Sequence, residues 1–192
     1  MFQTIGFIEV VVFYFAYFLK LFLQRKRGIK TNQLGFGKKL KKTIIIEILL
    51  KIFTSIIVII MLISVAINTG LSQTTMWKIT GILLVMIGTV LFILAMITMK
   101  DSWRAGIPAD DKTEMVTGGI YGLSRNPAFL CFDLTYIGIC LAFGNPILIG
   151  VAVITIFLIH LQILEEEKFL YKNFGGSYLN YKKKVRRYFL IF

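Results

Sequence analysis

The sequence predicts an all-α, polytopic membrane protein of about five transmembrane helices, on three observations. The 192 residues are 57% hydrophobic and only 17% charged, with a mean hydropathy of +0.77, which leaves too little polar surface to coat a soluble domain. The apolar residues fall in runs of about 17 to 25, the length that crosses a hydrocarbon core. Lysine and arginine crowd some of the short connections and are absent from others, the asymmetry that orients membrane helices.

The runs are residues 4–23, 43–67, 77–99, 128–143 and 147–164. No basic cluster precedes the first, and no small-residue cleavage site follows it, so it is expected to be retained rather than removed as a signal. The last two are separated only by Gly144, Asn145 and Pro146. Pro146 lacks a backbone donor and Gly144 tolerates positive φ, so the helix breaks there and the two spans are expected to pack side by side as a tight hairpin. Gly138 and Ala142, on one helix face, would let backbones approach closely. A cytoplasmic amphipathic tail, 165–192, completes a single domain over 1–192, with three spans in 1–99 and most of the chemistry-capable residues in 100–192.

The first connection carries Arg25, Lys26, Arg27, Lys30, Lys38, Lys39, Lys41 and Lys42 without an acid, whereas residues 68–76 up to Trp77 carry no charge. The first loop is therefore expected in the cytoplasm, with 100–126 and the tail beside it, and the N-terminus outside. Lys182, Lys183, Lys184, Arg186 and Arg187 in the tail agree. Topology accounts for most of the formal charge of +12, so anionic membrane lipid is the expected partner and nucleic acid is not. Cys131 and Cys140 are the 2 cysteines; they read as apolar packing residues, and no metal site is expected.

Polar residues gather in two places. The stretch 100–126 is too polar to span and rich in glycine. Asn126 is placed to cap a helix beginning at Pro127, and the amides there, beside Arg125, could hold a carboxylate or phosphate; the alternative is that Arg125 anchors the span at the headgroups. The second place is the end of the last run, where Glu165, Glu166 and Glu167 repel one another. They require either cationic partners, such as Arg104, Arg125 or the tail, or a positively charged ligand. His160 reads as hydrogen-bonded packing or a pocket wall. Asp133, an acid inside a span, is a candidate site residue by default, whereas Glu47 and Lys51 are spaced to pair with each other.

The series Gly119-x-Tyr121-x-x-x-Arg125-Asn126-Pro127-x-Phe129, followed after the two short spans by Glu166-Glu167-x-x-Leu170-x-x-x-Phe174-Gly175-x-x-Tyr178-x-x-Tyr181-x-x-x-Val185, resembles the isoprenylcysteine carboxyl methyltransferase family over roughly the C-terminal half. The resemblance implies a membrane enzyme that moves a methyl group from S-adenosylmethionine to a lipophilic or lipid-modified acceptor at the cytoplasmic face, making 100–192 the cofactor-binding and catalytic half. It implies cofactor contacts at Thr113, Glu114, Met115, Val116, Tyr121, Asn126, Pro127, Ala128, Phe129 and Glu167. Arg125 and Glu166 would be catalytic, and Asp133, Gln162 and Glu166 would face the acceptor.

Three positions depart from the family pattern. Asn126 stands in place of a His and Phe129 in place of a Tyr. Gln162 stands where members that methylate prenylated cysteine carboxylates carry an Arg, so a thiol, an amine or a lipid headgroup is expected as much as a carboxylate. Membrane sterol reductases, which bind a nicotinamide cofactor, share the C-terminal pattern but have more spans. A non-catalytic lipid-binding protein on the same fold is the third reading.

Overall fold

The structure is a computed structural model and describes all residues except 69, 71–73, 108–113 and 190–192. Among the described residues there are five α-helices: α1 (Phe2–Lys26), α2 (Lys41–Ile67), α3 (Thr75–Met99), α4 (Pro127–Phe143) and α5 (Pro146–Lys184). Short 3-10 turns lie at Lys100–Ser102 and Gly119–Gly122. Among the described residues, extended pairing is confined to one bridge, Asn32 with Ala105. The all-α prediction is met.

Among the described residues, four helices are long and apolar enough to cross a membrane: α1, α2, α3 with its following turn, and α5. The fifth, α4, has 17 residues, or about 26 Å at 1.5 Å per residue, slightly less than a hydrocarbon core of about 30 Å. Phe7, Phe15, Ile59, Val90 and Phe157 stand on outward faces, where lipid rather than water suits them.

Helix α4 lies mainly against α3, and α5 mainly against α2. Gly138 does permit close approach, but of α3: a Cβ there would stand 2.5 Å from the Gly81 carbonyl, and one at Gly81 would meet the backbone of Gly138 and Ala142. Rings of α1, α3 and α4 meet in the core, with Phe13 stacked 4.9 Å from Phe92 and edge-on to Phe132 at 5.0 Å.

The last apolar run and the residues after it share one helix, α5, which continues to Lys184 and kinks at Gly175, whose φ of 48° lies in the region glycine tolerates. One expectation is corrected: Glu47 does not pair with Lys51. Its carboxylate meets Lys39 at 2.7 Å, while the Lys51 ammonium lies 5.4 Å from the centre of the Phe36 ring.

Candidate active site

A cavity of about 370 Å³ lies among the helices and is lined by all five of them. Tyr14, Tyr17 and Leu21 of α1 and Leu50, Lys51, Thr54 and Ser55 of α2 form one side. Phe129 and Phe132 of α4, with Gln162, Glu166 and Tyr181 of α5, form the other. The segments Trp103 to Ile107 and Glu114 to Val116, together with Asn32 and Leu34, complete the wall.

The loop part of this wall is held by buried Glu47. One carboxylate oxygen accepts the Gly35 amide at 2.8 Å and the Lys39 ammonium at 2.7 Å, and the other accepts the Ile107 amide at 3.0 Å. The bridge beside it runs from Gln33 N–H to Ala105 O at 2.8 Å and from Ala105 N–H to Thr31 O at 3.0 Å. A charge placed in an apolar setting must be paired, and here the pairing joins the first connection to the segment that follows α3.

Glu165, Glu166 and Glu167 separate into three roles. Glu165 accepts from Thr43 at 2.8 Å and Lys168 at 2.6 Å, joining α5 to α2. Glu167 accepts Arg125 Nη2 at 2.8 Å, Arg187 Nε at 3.0 Å and Arg187 Nη2 at 2.8 Å. Glu166 has, among the described residues, a single side-chain hydrogen bond, from Gln162 Nε2 at 3.0 Å. Two of the three acids thus have cationic partners, and the third lines the cavity.

Arg125 is not a headgroup anchor. Besides Glu167, its guanidinium donates to the Val185 carbonyl at 2.6 Å, and its own amide donates to Arg186 O at 2.9 Å. Asn126 occupies the N-cap position of α4 without making a side-chain cap bond; its Nδ2 turns instead toward Glu167 Oε1 and Arg187 O, each at 3.4 Å. The residues after α5 thereby strap the start of α4, helped by Ser124 Oγ donating to Arg187 O at 2.8 Å. Glu167 holds the Arg187 guanidinium above its ordinary pKa. The Tyr181 hydroxyl donates to Tyr121 O at 2.6 Å, and burial pushes the Tyr121 phenol far above its usual range.

Of the expected site residues, Glu114, Met115, Val116, Tyr121, Arg125, Asn126, Ala128, Phe129, Gln162 and Glu166 line this cavity. Pro127, Asp133 and Glu167 are not part of its lining, and Thr113 lies outside the described residues. Asp133 is buried, with Oδ1 lacking a hydrogen-bond partner among the described residues. His160 is hydrogen-bonded as expected, its Nδ1 lying 2.6 Å from the Tyr188 hydroxyl. The whole α1 and α2 wall was missed. The only signal for it was Glu47, an acid near the start of an apolar run, and its spacing to Lys51 gave it a nearer but incorrect partner.

Fold and site together define a helical membrane protein with a pocket among its helices, built from both halves of the chain. The family model described as phospholipid methyltransferase matches residues 76–177, more than half of the chain, and the chain belongs to that family. It is 32% identical over 126 residues to the protein-S-isoprenylcysteine O-methyltransferase of Xenopus laevis, covering 64% of this chain and 44% of the relative. The human protein of that name is 31% identical over 118 residues, 60% of this chain and 42% of its own. That of Saccharomyces cerevisiae is 30% identical over 115 residues, 58% and 48%. The chain thus matches less than half the length of these relatives. No solved structure matches it.

Proposed function

We propose that the chain is an integral membrane methyltransferase that moves a methyl group from S-adenosylmethionine to a lipophilic acceptor. The observation that carries this reading is the cavity in which the Tyr121 to Phe129 segment meets Gln162 and Glu166. The donor set fits S-adenosylmethionine. Glu114 and Glu166 suit its cationic groups and Tyr121 and Phe129 its sulfonium face. Lys51 and Arg104, also in the lining, suit its carboxylate, and the volume lies in the range of ligand pockets, about 300–1,000 Å³. When bound, that molecule supplies an electrophilic methyl group. The protein's part is to align the acceptor and exclude water, since a desolvated nucleophile held in line supplies much of the acceleration.

The reading extends to topology. The chain forms one domain of five spans, with α4 and α5 as a hairpin turning at Gly144 and Asn145. The N-terminus lies outside, and the cavity and C-terminus lie on the cytoplasmic side, where the basic first connection stands and the soluble methyl donor is available. Cofactor contacts fall on Glu114, Met115, Val116, Tyr121, Asn126, Ala128 and Phe129, and Glu166 stands at the reacting end.

Thermal unfolding tests the reading. S-adenosylmethionine or S-adenosylhomocysteine at 100 times its Kd stabilises a folded protein by about 2.7 kcal/mol, roughly 5–10 °C at this chain length, and NADPH produces no such shift. A shift with NADPH alone assigns the chain to the reductase class, and no shift with the first pair removes the methyltransferase reading. Glu166→Gln is expected to abolish methyl transfer to any acceptor found while the melting temperature stays near wild type. Unchanged rates in that variant would take Glu166 out of the mechanism.

A further inference from the structure

Beyond Gly175 the second part of α5 lies over one end of the cavity. Tyr178, Tyr181 and Val185 are buried there and pack on Met115, Leu170 and Phe174, and of these Tyr181, Met115 and Leu170 line the cavity. The other side of the segment faces outward, with Leu179, Lys182, Lys183 and Lys184 exposed. Residues 176–187 thus cover the cavity on one side only.

Both ends of this segment suit movement. At the near end Gly175 holds φ 48° and ψ −120°, a conformation outside the helical region that glycine alone adopts readily. A Cβ added at Gly175 or Gly176 would have nothing within 4 Å, so packing does not lock the bend. A helical φ at Gly175, near −63°, would redirect the chain and carry Tyr178 and Tyr181 off Met115 and Leu170. At the far end Tyr188 is held on α5, its hydroxyl 2.6 Å from His160 Nδ1 and the two rings stacked at 6.2 Å. Between these points the segment is closed by polar contacts. Arg187 meets Glu167 at 2.8 Å, Arg125 donates to Val185 O at 2.6 Å, and Tyr181 donates to Tyr121 O at 2.6 Å. Water can replace each of these bonds when the segment lifts, and Arg187 is already 28% exposed.

We infer that residues 176–187 form a flap that lifts about Gly175, with Tyr188 as its fixed far end, to admit the methyl donor and release the demethylated product, and that the Arg187–Glu167 pair sets how often it lifts. The inference rests on the methyltransferase reading and concerns access to that site. The donor is polar, whereas the α1 and α2 side of the cavity includes Phe18 and Val58, on helices apolar enough to stand in lipid; the flap side adjoins Glu114 to Val116 and is the polar route. Gly175, Glu167 and Arg187 are not part of the cavity lining. Weakening the latch therefore opens the free and the loaded protein alike, so association and dissociation both quicken while Kd hardly moves. Damage to a fixed wall would instead quicken dissociation alone.

Stopped-flow binding of S-adenosylhomocysteine to the full chain in lipid nanodiscs tests this. Arg187→Gln, which leaves Glu167 paired with Arg125, should raise both rate constants by about fivefold or more with Kd within about threefold of wild type. Gly175→Ala, which disfavours the closed bend, should act in the same direction. Unchanged rates in both variants overturn the inference, as does faster dissociation matched by an equal rise in Kd. Hydrogen exchange on the unliganded wild type keeps the test open should the variants not fold. The Arg125 amide, which donates to Arg186 O at 2.9 Å, and the amides of 178–185 should exchange together, at least about tenfold faster than those around Phe92 in α3. Equal protection in the two regions overturns the flap. If S-adenosylhomocysteine does not bind the wild type at all, the methyltransferase reading fails, and hydrogen exchange still decides whether the segment lifts.

Discussion

Replacing Glu167 by Ala leaves two guanidinium groups facing one another at the start of α4. In the native site its carboxylate is 8% exposed and Arg125 is 7% exposed, so removing the acid strands a buried cation, and Arg187, at 28%, is stranded less completely. Breaking a buried ion pair from one side costs about 3–5 kcal/mol. The partial exposure of Arg187 lowers this to about 2–4 kcal/mol, because water can solvate one of the two cations. With about 2–4 °C per kcal/mol for a chain of this size, the melting temperature should fall by roughly 5–15 °C. A double-mutant cycle isolates the cause: Glu167→Ala and Arg187→Ala should be non-additive by about 1–3 kcal/mol, since the second change removes the repulsion created by the first. Raising the salt concentration should do little to the wild type, because buried pairs are weakly screened. A fall of less than about 2 °C for Glu167→Ala, with additive single effects, would refute the argument that this carboxylate fastens the C-terminal strap to α4.

Glu47→Ala should unfasten the loop wall: it strands Lys39 and leaves the Gly35 and Ile107 amides without their acceptor, a loss of about 3 kcal/mol. Limited trypsin digestion should then cut at Arg104 and Lys39 at least tenfold faster than in the wild type, and an unchanged pattern would contradict the clasp. Gly81→Ala should destabilise by about 1–3 kcal/mol, since its Cβ would lie 2.8 Å from the Ala142 amide nitrogen. Gly150→Ala, where nothing lies within 4 Å, should instead gain up to about 1 kcal/mol from helix propensity; melting temperatures of equal sign for the pair would refute the close α3 to α4 approach.

Much of this was legible because membrane physics leaves few choices. Backbone polar groups in lipid must be paired internally, so long apolar runs are helices, and the five helices occur where the runs were. Polar residues that stand out against an apolar background, such as Arg125 and Glu166, could be picked out and placed on one site. Helix partners were not legible. Side-by-side order in sequence made α5 the expected neighbour of the Gly138 face, yet Gly81 in α3 offered a closer backbone fit. Division of labour among Glu165, Glu166 and Glu167 was also hidden, because it depends on Thr43 and Arg187, residues 122 and 20 positions away from their partners. The role of Glu47 was misread for a related reason: helical spacing made Lys51 its geometric neighbour, but a flexible lysine in the preceding loop reached it first.

These long-range ties bear on whether the C-terminal half can act alone. The motif residues lie within 100–192, but α4 buries its small-residue face against Gly81 of α3, and Glu165 is held by Thr43 of α2. The segment after α3 hangs from α1, where Lys20 Nζ donates to Lys100 O at 2.7 Å and Gln24 Nε2 to Trp103 O at 3.3 Å. Without residues 1–99 the cavity would lose one side, Glu165 would lose Thr43 and the close face of α4 would meet lipid. Expressed alone, residues 100–192 should therefore fail to bind S-adenosylhomocysteine, whereas the two pieces 1–99 and 100–192, expressed together, should copurify and recover the thermal shift. Binding by 100–192 alone would show that the N-terminal helices only cover the site and would refute their place in its wall.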